Sequence, residues 1–594
     1  KKTVEIKKRL PPNLTKNQKL ICLALSLCSL CACNDSDFLK ENADDFLTVD
    51  NSYLNASQFR TGLNEFYRIV RQNYNFRDDP NYFFQFGIGT DIMFRPVSDM
   101  DMYTDWSLVN STTDIYRVVY GRHFGMLYNV NTLLKQTENP EVRWSNEAEK
   151  LAAQAEARFF RGYCYRYLGF LFGGVPILTE PVGTPSLAYT RDSRANVYRQ
   201  CIEDFDFAAK NLPVSVTEPG RVVQAAAYHY LAEMYIALGD ETGDKSMYQK
   251  AIDAASMVID QKVGEYHLMT ERFGWRKDVT GKDAFWDLFQ MKSEDGFSNF
   301  SYQTGNKESI WVIQVDKFVS GGLNDGLATR TDQERVFWPA FWGTTKFGYD
   351  GNARDWTGRG ISWVRPTPYF CYDLWGKSGS EDQRNAEFNI NRIYRAPKPI
   401  VNGVEVDDPN KVYETGVTLE DGTNIVVKLK PGEIIKKEWL TTRQDTMERF
   451  YPRIMKCGSD WHYAAEPANG FVMEWYAIRL AETYLIRAEA YLKNDNKGEA
   501  AADINVVRAR ANAKPVEAAD VNIDYLLDER ARELYAEEFR TLTLCRMGLL
   551  YDRVKRFGYE ASAKTVRERN NLGPIPQSVI DANSQAEFPN NPGF

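Results

Sequence analysis

The sequence predicts a mainly α protein: a tetratricopeptide-like scaffold of paired helices, with a loop-rich, Trp-rich insert that contains short β-hairpins. Three observations predict it. Small and large residues alternate in helix-turn-helix units at both ends of the chain, the periodicity fades between residues 263 and 470, and that middle stretch accumulates Gly, Trp and Pro. Two helices need small side chains where they cross closely and large ones where a gap must be filled, so the alternation reports their packing.

The chain begins with an export pattern. Residues 1–19 carry seven Lys or Arg against one acid, Glu5, and an apolar run from Leu20 to Ala32 follows. These are the n-region and h-region of a signal peptide, here residues 1–32. A helix of that run spans about 20 Å, short of the roughly 30 Å of a bilayer core, so a transmembrane anchor is not predicted. Leu30-Cys31-Ala32-Cys33 resembles a bacterial lipobox, with Cys33 as the lipidated first residue of the mature chain and Asn34-Asp35-Ser36-Asp37 as a polar tether. A cleaved secretory signal with incidental cysteines is the plainer reading. Residues 33–594 are expected to form the body.

Helical repeats are expected over about 50–262 and 471–560. With Ala481 as position 1, Tyr484, Ala488 and Tyr491 stand at 4, 8 and 11, and Ala500, Ile504 and Val507 at 20, 24 and 27, a full 34-residue unit ending at Lys514. A second unit runs from Tyr228, Leu231, Ala232 and Tyr235 to Ala251, Ala255 and Val258, with a long turn expected at 239–243. In a third, Asn146 and Glu149 are placed as a capping box for the helix ending near Gly174, and Cys201, Phe205 and Ala208 mark its partner after an extended insert. A fourth pair is expected near 56–72 and 116–136. Between the two blocks, alternating runs such as Gly403–Val406 and Asn424–Leu429 suggest hairpins. More than 200 loop-rich residues cost too much entropy to be a spacer, so this segment should pack on the frame and carry function.

Charge excludes some partners. The formal charge is −8, and residues 33–594 hold 66 bases against 80 acids, or −14. So acidic a surface disfavours nucleic acid and anionic lipid. Cys164, Cys201, Cys371, Cys457 and Cys545 lie far apart, without the spacing of a zinc site or a disulfide framework. No nucleophile elbow, phosphate loop or HExxH helix occurs, and no cofactor is expected.

The order of motifs resembles the SusD/RagB family of Bacteroidetes outer-membrane lipoproteins. The lipobox is followed by Asp35-Ser36-Asp37-Phe38-Leu39, like the family's start. AEARFFRGYCYRYLGFLFGGVPI, ending at Ile177, is similar to a family segment that commonly has Ala where Gly162 stands. ERARELYAEEFRTLTLCRMG, residues 529–548, is similar to a second, with Glu538 for the usual Gly and Thr543 for the usual Asp. Pro574-Ile575-Pro576 and Asn591-Pro592-Gly593-Phe594 resemble its close. The resemblance implies a surface-exposed, lipid-anchored lid on a SusC-like TonB-dependent transporter in the outer membrane, which captures an oligosaccharide, or in some relatives a peptide. It also implies a scaffold of four tetratricopeptide pairs.

A sugar presents an apolar face ringed by hydroxyls, so its binder needs flat aromatic faces flanked by orienting polar groups. Residues 330–375 hold Trp338, Trp342, Trp356, Trp363 and Trp375, five of the thirteen Trp. Trp338, Trp342 and Trp356 are the expected ligand contacts; Trp363 and Trp375 read as core. The loop 86–110 supplies Asp91, Arg95, Tyr103, Trp106 and Asn110. In the family this region contributes to the ligand site, with Thr90-Asp91 as the counterpart of its Ser-Asp-Glu-like motif. A loop held by its own Asp and Asn turn bonds is the competing reading. Asp99 and Asp101 have the spacing of a calcium loop, but no acid closes the set. The Trp cluster favours glycan over the peptide alternative, and a glycan-active enzyme is the remote third.

Overall fold

The computed structural model describes residues 52–74, 84–97, 101–184, 186–316, 319, 322, 331, 333–354, 357–401, 404–462 and 471–594. The export signal, Cys33, Asp99 and Trp356 lie outside the described residues. Asn55–Phe594 forms one compact unit.

Its main helices are α1 (Ala56–Tyr74), α2 (Asp114–Gln136), α3 (Glu147–Phe172), α4 (Arg194–Asn211), α5 (Gln224–Thr242) and α6 (Ser246–Ile259), followed after the insert by α7 (Leu480–Lys493), α8 (Lys497–Arg510), α9 (Ile523–Leu534) and α10 (Arg540–Met547). From α2 to α8 each helix packs on the next, and α6 packs on α7 across the intervening insert. The two blocks of repeats are therefore one continuous array.

Local chemistry places the helix ends. Asn146 Oδ1 accepts from the Glu149 amide at 2.9 Å, and the Glu149 carboxylate accepts from the Ser145 amide at 2.7 Å, a reciprocal cap displaced by one residue. The small positions expected at helix crossings, Ala208, Ala232, Ala251, Ala255, Ala488 and Ala500, are all fully buried. Gly162 serves the same purpose, since a Cβ there would stand 3.0 Å from the Phe205 ring of α4. The long turn expected at 239–243 is a correction: α5 runs through Thr242 and turns at Gly243, φ 72°. Gly239 lies inside the helix, where a Cβ would stand 2.7 Å from the Tyr248 ring of α6.

The insert leaves and returns through one pair of strands. β2 (Ser309–Ile313) pairs antiparallel with β10 (Trp475–Arg479), which runs straight into α7. Between them lie β3 (Arg365–Pro366), β4 (Ile390–Asn391), β5 (Ile400–Val401), β6 (Val404–Glu405), β7 (Tyr413–Thr418), β8 (Asn424–Leu429) and β9 (Arg453–Ile454); β1 (Met93–Phe94) precedes the insert. The two expected hairpins are β5–β6 and β7–β8. The insert has apolar centres of its own: Phe341, Phe347, Tyr394, Val417, Val427 and Phe450 form one beneath the β7–β8 hairpin. The five described cysteines are free and buried. Among the described residues, no helix is long and apolar enough to cross a membrane.

Candidate functional site

The two stretches expected to meet a ligand are joined by a short sheet. β1 pairs antiparallel with β3, Met93 opposite Pro366 and Phe94 opposite Arg365. The Thr367 amide donates to Ile92 O at 2.9 Å and its hydroxyl to Asp91 O at 2.7 Å. The loop 86–110 and the Trp-rich segment thus share one seam.

Burial sorts the expected contacts. Trp338 is wholly buried, its indole N–H donating to Ile454 O at 2.8 Å and the Arg453 guanidinium 4.6 Å from its ring. It belongs to the core of the insert, which corrects the sequence expectation. Gly458 leaves room for that ring. Gly458→Ala would put a Cβ 2.3 Å from it. Chemical denaturation is expected to show a loss of about 3 kcal/mol, because a buried indole cannot yield so far.

In the early loop, Trp106 and Tyr103 are also buried, at 2% and 5% exposure. The Trp106 indole donates to Gly89 O at 2.9 Å and holds the loop closed. Asp91 is at 0% and faces inward, accepting from Arg540 Nε at 3.0 Å and Nη2 at 2.6 Å, and from Arg553 Nε at 2.9 Å. None of the three offers a face to a ligand; the loop turns them inward because Asp91 neutralises two buried cations. Arg95 is half-buried, 3.2 Å from Asp101 and lying against the Tyr103 ring. Asn110 is exposed, but its side chain accepts from the Thr112 amide at 2.8 Å and donates to Leu108 O at 2.9 Å, the local turn bonding weighed against a ligand role.

Two described tryptophans of residues 330–375 are not buried. Trp342 is half-buried, its ring fixed by donation to Gly360 O at 2.7 Å. Trp363, expected in the core, is half-buried as well. Residues 361–366, Ile-Ser-Trp-Val-Arg-Pro, pass beside 335–338, the Ile361 amide donating to Arg335 O and the Val364 amide to Val336 O; the backbone bends at Ser362, φ 58°, and only Arg365–Pro366 is strand. Ser362, Val364 and Pro366 are buried; Ile361, Trp363 and Arg365 are not. No periodicity in the sequence marks Trp363 as facing outward. Glu334 receives the Arg359 amide at 2.8 Å, with His462 Nε2 2.8 Å away. Among the described residues, no group of three or more His, Cys, Asp or Glu is placed to hold a metal ion.

The segment 529–548 forms a network of ion pairs behind the seam. Glu533 meets Arg384 at 3.0 Å and Arg479 at 2.7 Å and also pairs with Arg510, while Glu529 meets Arg384 at 2.8 Å and Arg508 at 2.7 Å. Glu538, at the usual Gly position, accepts from Arg530 at 2.6 Å and lies 3.3 Å from Arg540. Burial alone would raise these acids, but the guanidiniums outweigh it and hold Asp91 and Glu529 at about 2. A depressed folded value means that this stability is present above the unfolded value of about 4 and is lost as pH falls toward 2. Glu482 runs the other way, raised by burial to about 7 despite Arg530, so its contribution weakens as pH rises from about 4 to 7. Thermal scans are expected to show a steep loss of melting temperature below pH 4 and a shallow decline from pH 5 to 7.

Known proteins place these features in context. The family profile described as "SusD family" matches residues 307–594, and one described as "Starch-binding associating with outer membrane" matches residues 37–236. SusD-like protein P25 of Formosa agariphila is 21% identical, over 96% of this chain and 97% of that protein; SusD-like protein P2 of the same organism is 24% identical, over 78% of each. Among solved structures, a SusD homolog from Bacteroides thetaiotaomicron superimposes with a TM-score of 0.63 at 18% identity, covering 92% of this chain and 98% of that one. A laminarin-binding SusD-like protein superimposes at 0.61 with 20% identity, covering 91% and 100%. With the helical array, the insert and both family profiles in agreement, the chain belongs to the SusD family.

Proposed function

We propose that the protein is a surface-exposed glycan-binding lipoprotein, anchored in the outer membrane through lipid on Cys33, that captures oligosaccharide and passes it to a SusC-like TonB-dependent transporter as its lid. The observation that carries the reading is that Trp342 and Trp363 of the Trp-rich segment are half-exposed, Trp363 standing two residues before Arg365 of β3. Fold relatives named for laminarin binding and for surface glycan binding support a sugar as the ligand. Stacking on indole faces is the recognition; no catalytic step is part of it. The helical array rests on the transporter while the insert closes over its mouth.

Calorimetry of residues 34–594 against plant, fungal and host polysaccharides and mixed peptides tests the ligand class. Heat of binding from a polysaccharide is expected. Binding only to peptides would replace the reading with the peptide-capturing lid. For the partner, purification of the lipoprotein from membranes in mild detergent is expected to carry a SusC-like transporter with it, and its absence would sink the lid role.

A further inference from the structure

We infer that the protein holds an internal water-binding site that joins the insert to the scaffold beside β10. A small cavity there is lined by Phe289, Phe300, Gln333, Trp475, Tyr535 and Ala536, among others. Gln333, Trp475 and Tyr535 are 1%, 4% and 1% exposed. Each keeps one buried atom without a hydrogen bond: Gln333 Oε1, Trp475 Nε1 and Tyr535 Oη. Glu474 Oε1, on the same cavity, also has none; buried polar atoms in native proteins are almost always hydrogen-bonded, so such a cluster points to a shared partner.

Their chemistry selects that partner. The indole N–H only donates and the amide oxygen only accepts, while the phenol does either. The amide cannot be turned round, because Gln333 Nε2 already donates to Met473 O at 2.8 Å. A water molecule accepts from Trp475, donates to Gln333 and completes Tyr535 in either sense. The space open to a water centre is about 20 Å³, against the roughly 10–15 Å³ that one water requires. A sugar, a phosphate or any larger ligand does not fit. Glu474, Lys456 and Glu537 also line the cavity; Glu474 Oε1 lies 3.2 Å from Lys292 Nζ, and Lys456 Nζ already donates to Glu533 O at 2.9 Å and Glu537 Oε1 at 2.6 Å.

The three residues come from distant parts of the chain. Gln333 opens a helical turn of the insert, Trp475 begins β10, and Tyr535 follows α9, just before Ala536 with its left-handed φ of 59°. One water therefore ties the insert, its return strand and the C-terminal helices together.

A high-resolution crystal structure of the unmodified protein, together with unfolding of Tyr535→Phe, tests the site. A density peak within hydrogen-bonding distance of Trp475 Nε1 and Gln333 Oε1 is expected, and Tyr535→Phe should raise the unfolding constant about fivefold by removing one water-mediated bond. No peak at that position, or a Tyr535→Phe variant at least as stable as the parent, would show the cavity to be dry and overturn the inference.

Discussion

Replacing Asp91 by Ala is expected to lower the unfolding free energy by about 3–5 kcal/mol, read by chemical denaturation. The carboxylate lies between Arg540 and Arg553, and all three side chains are at 0% exposure. Its removal leaves two guanidiniums in a low-dielectric interior with fewer counter-charges. Arg540 keeps Glu538, and Arg553 keeps Asp528 at 2.7 Å, so the loss is bounded. The backbone next to Asp91 carries the Thr367 hydroxyl bond, so the β1–β3 seam should loosen as well. A side chain that merely touched ligand would give the opposite result, a loss of affinity with stability intact. Unchanged denaturation of Asp91→Ala would return the residue to the ligand site.

The second large effect is expected on binding. Trp342→Ala and Trp363→Ala should each weaken glycan affinity about 30-fold, because truncating a central aromatic contact typically costs 2 kcal/mol or more, and the double variant should show no measurable heat. Half-exposed positions bury less area than core ones, so circular dichroism and the unfolding midpoint should stay close to the parent. Trp338→Ala supplies the contrast: its ring is wholly inside, and its loss should lower stability before affinity is reached. A folded double variant that bound glycan as the parent does would move the site away from these two rings.

Reading the scaffold from the chain worked where the signal was local and periodic. Ala488, Ala500, Ile504 and Val507 recur at repeat spacing, and every one of them is buried. Asn146 and Glu149 announced a helix start that the structure has. Gly239 was misread as a turn because a glycine required by a neighbouring ring looks the same in sequence as one required by a bend. The Trp-rich segment was recognisable as irregular, but which rings faced outward was not. Trp338 and Trp363 were assigned in reverse: indoles in a non-periodic segment have no phase until the backbone direction is known.

By itself, the sequence determined the helical pairs and the order of the family's motifs, because caps and small-residue crossings act within one or two turns. Only the tertiary structure decided that α6 abuts α7 across more than 200 residues, that β1 and β3 form a seam, and that Asp91 pairs with Arg540 and Arg553. Those contacts join residues hundreds of positions apart. Such a partner is selected by burial and charge compensation in the folded chain, and no local pattern encodes it.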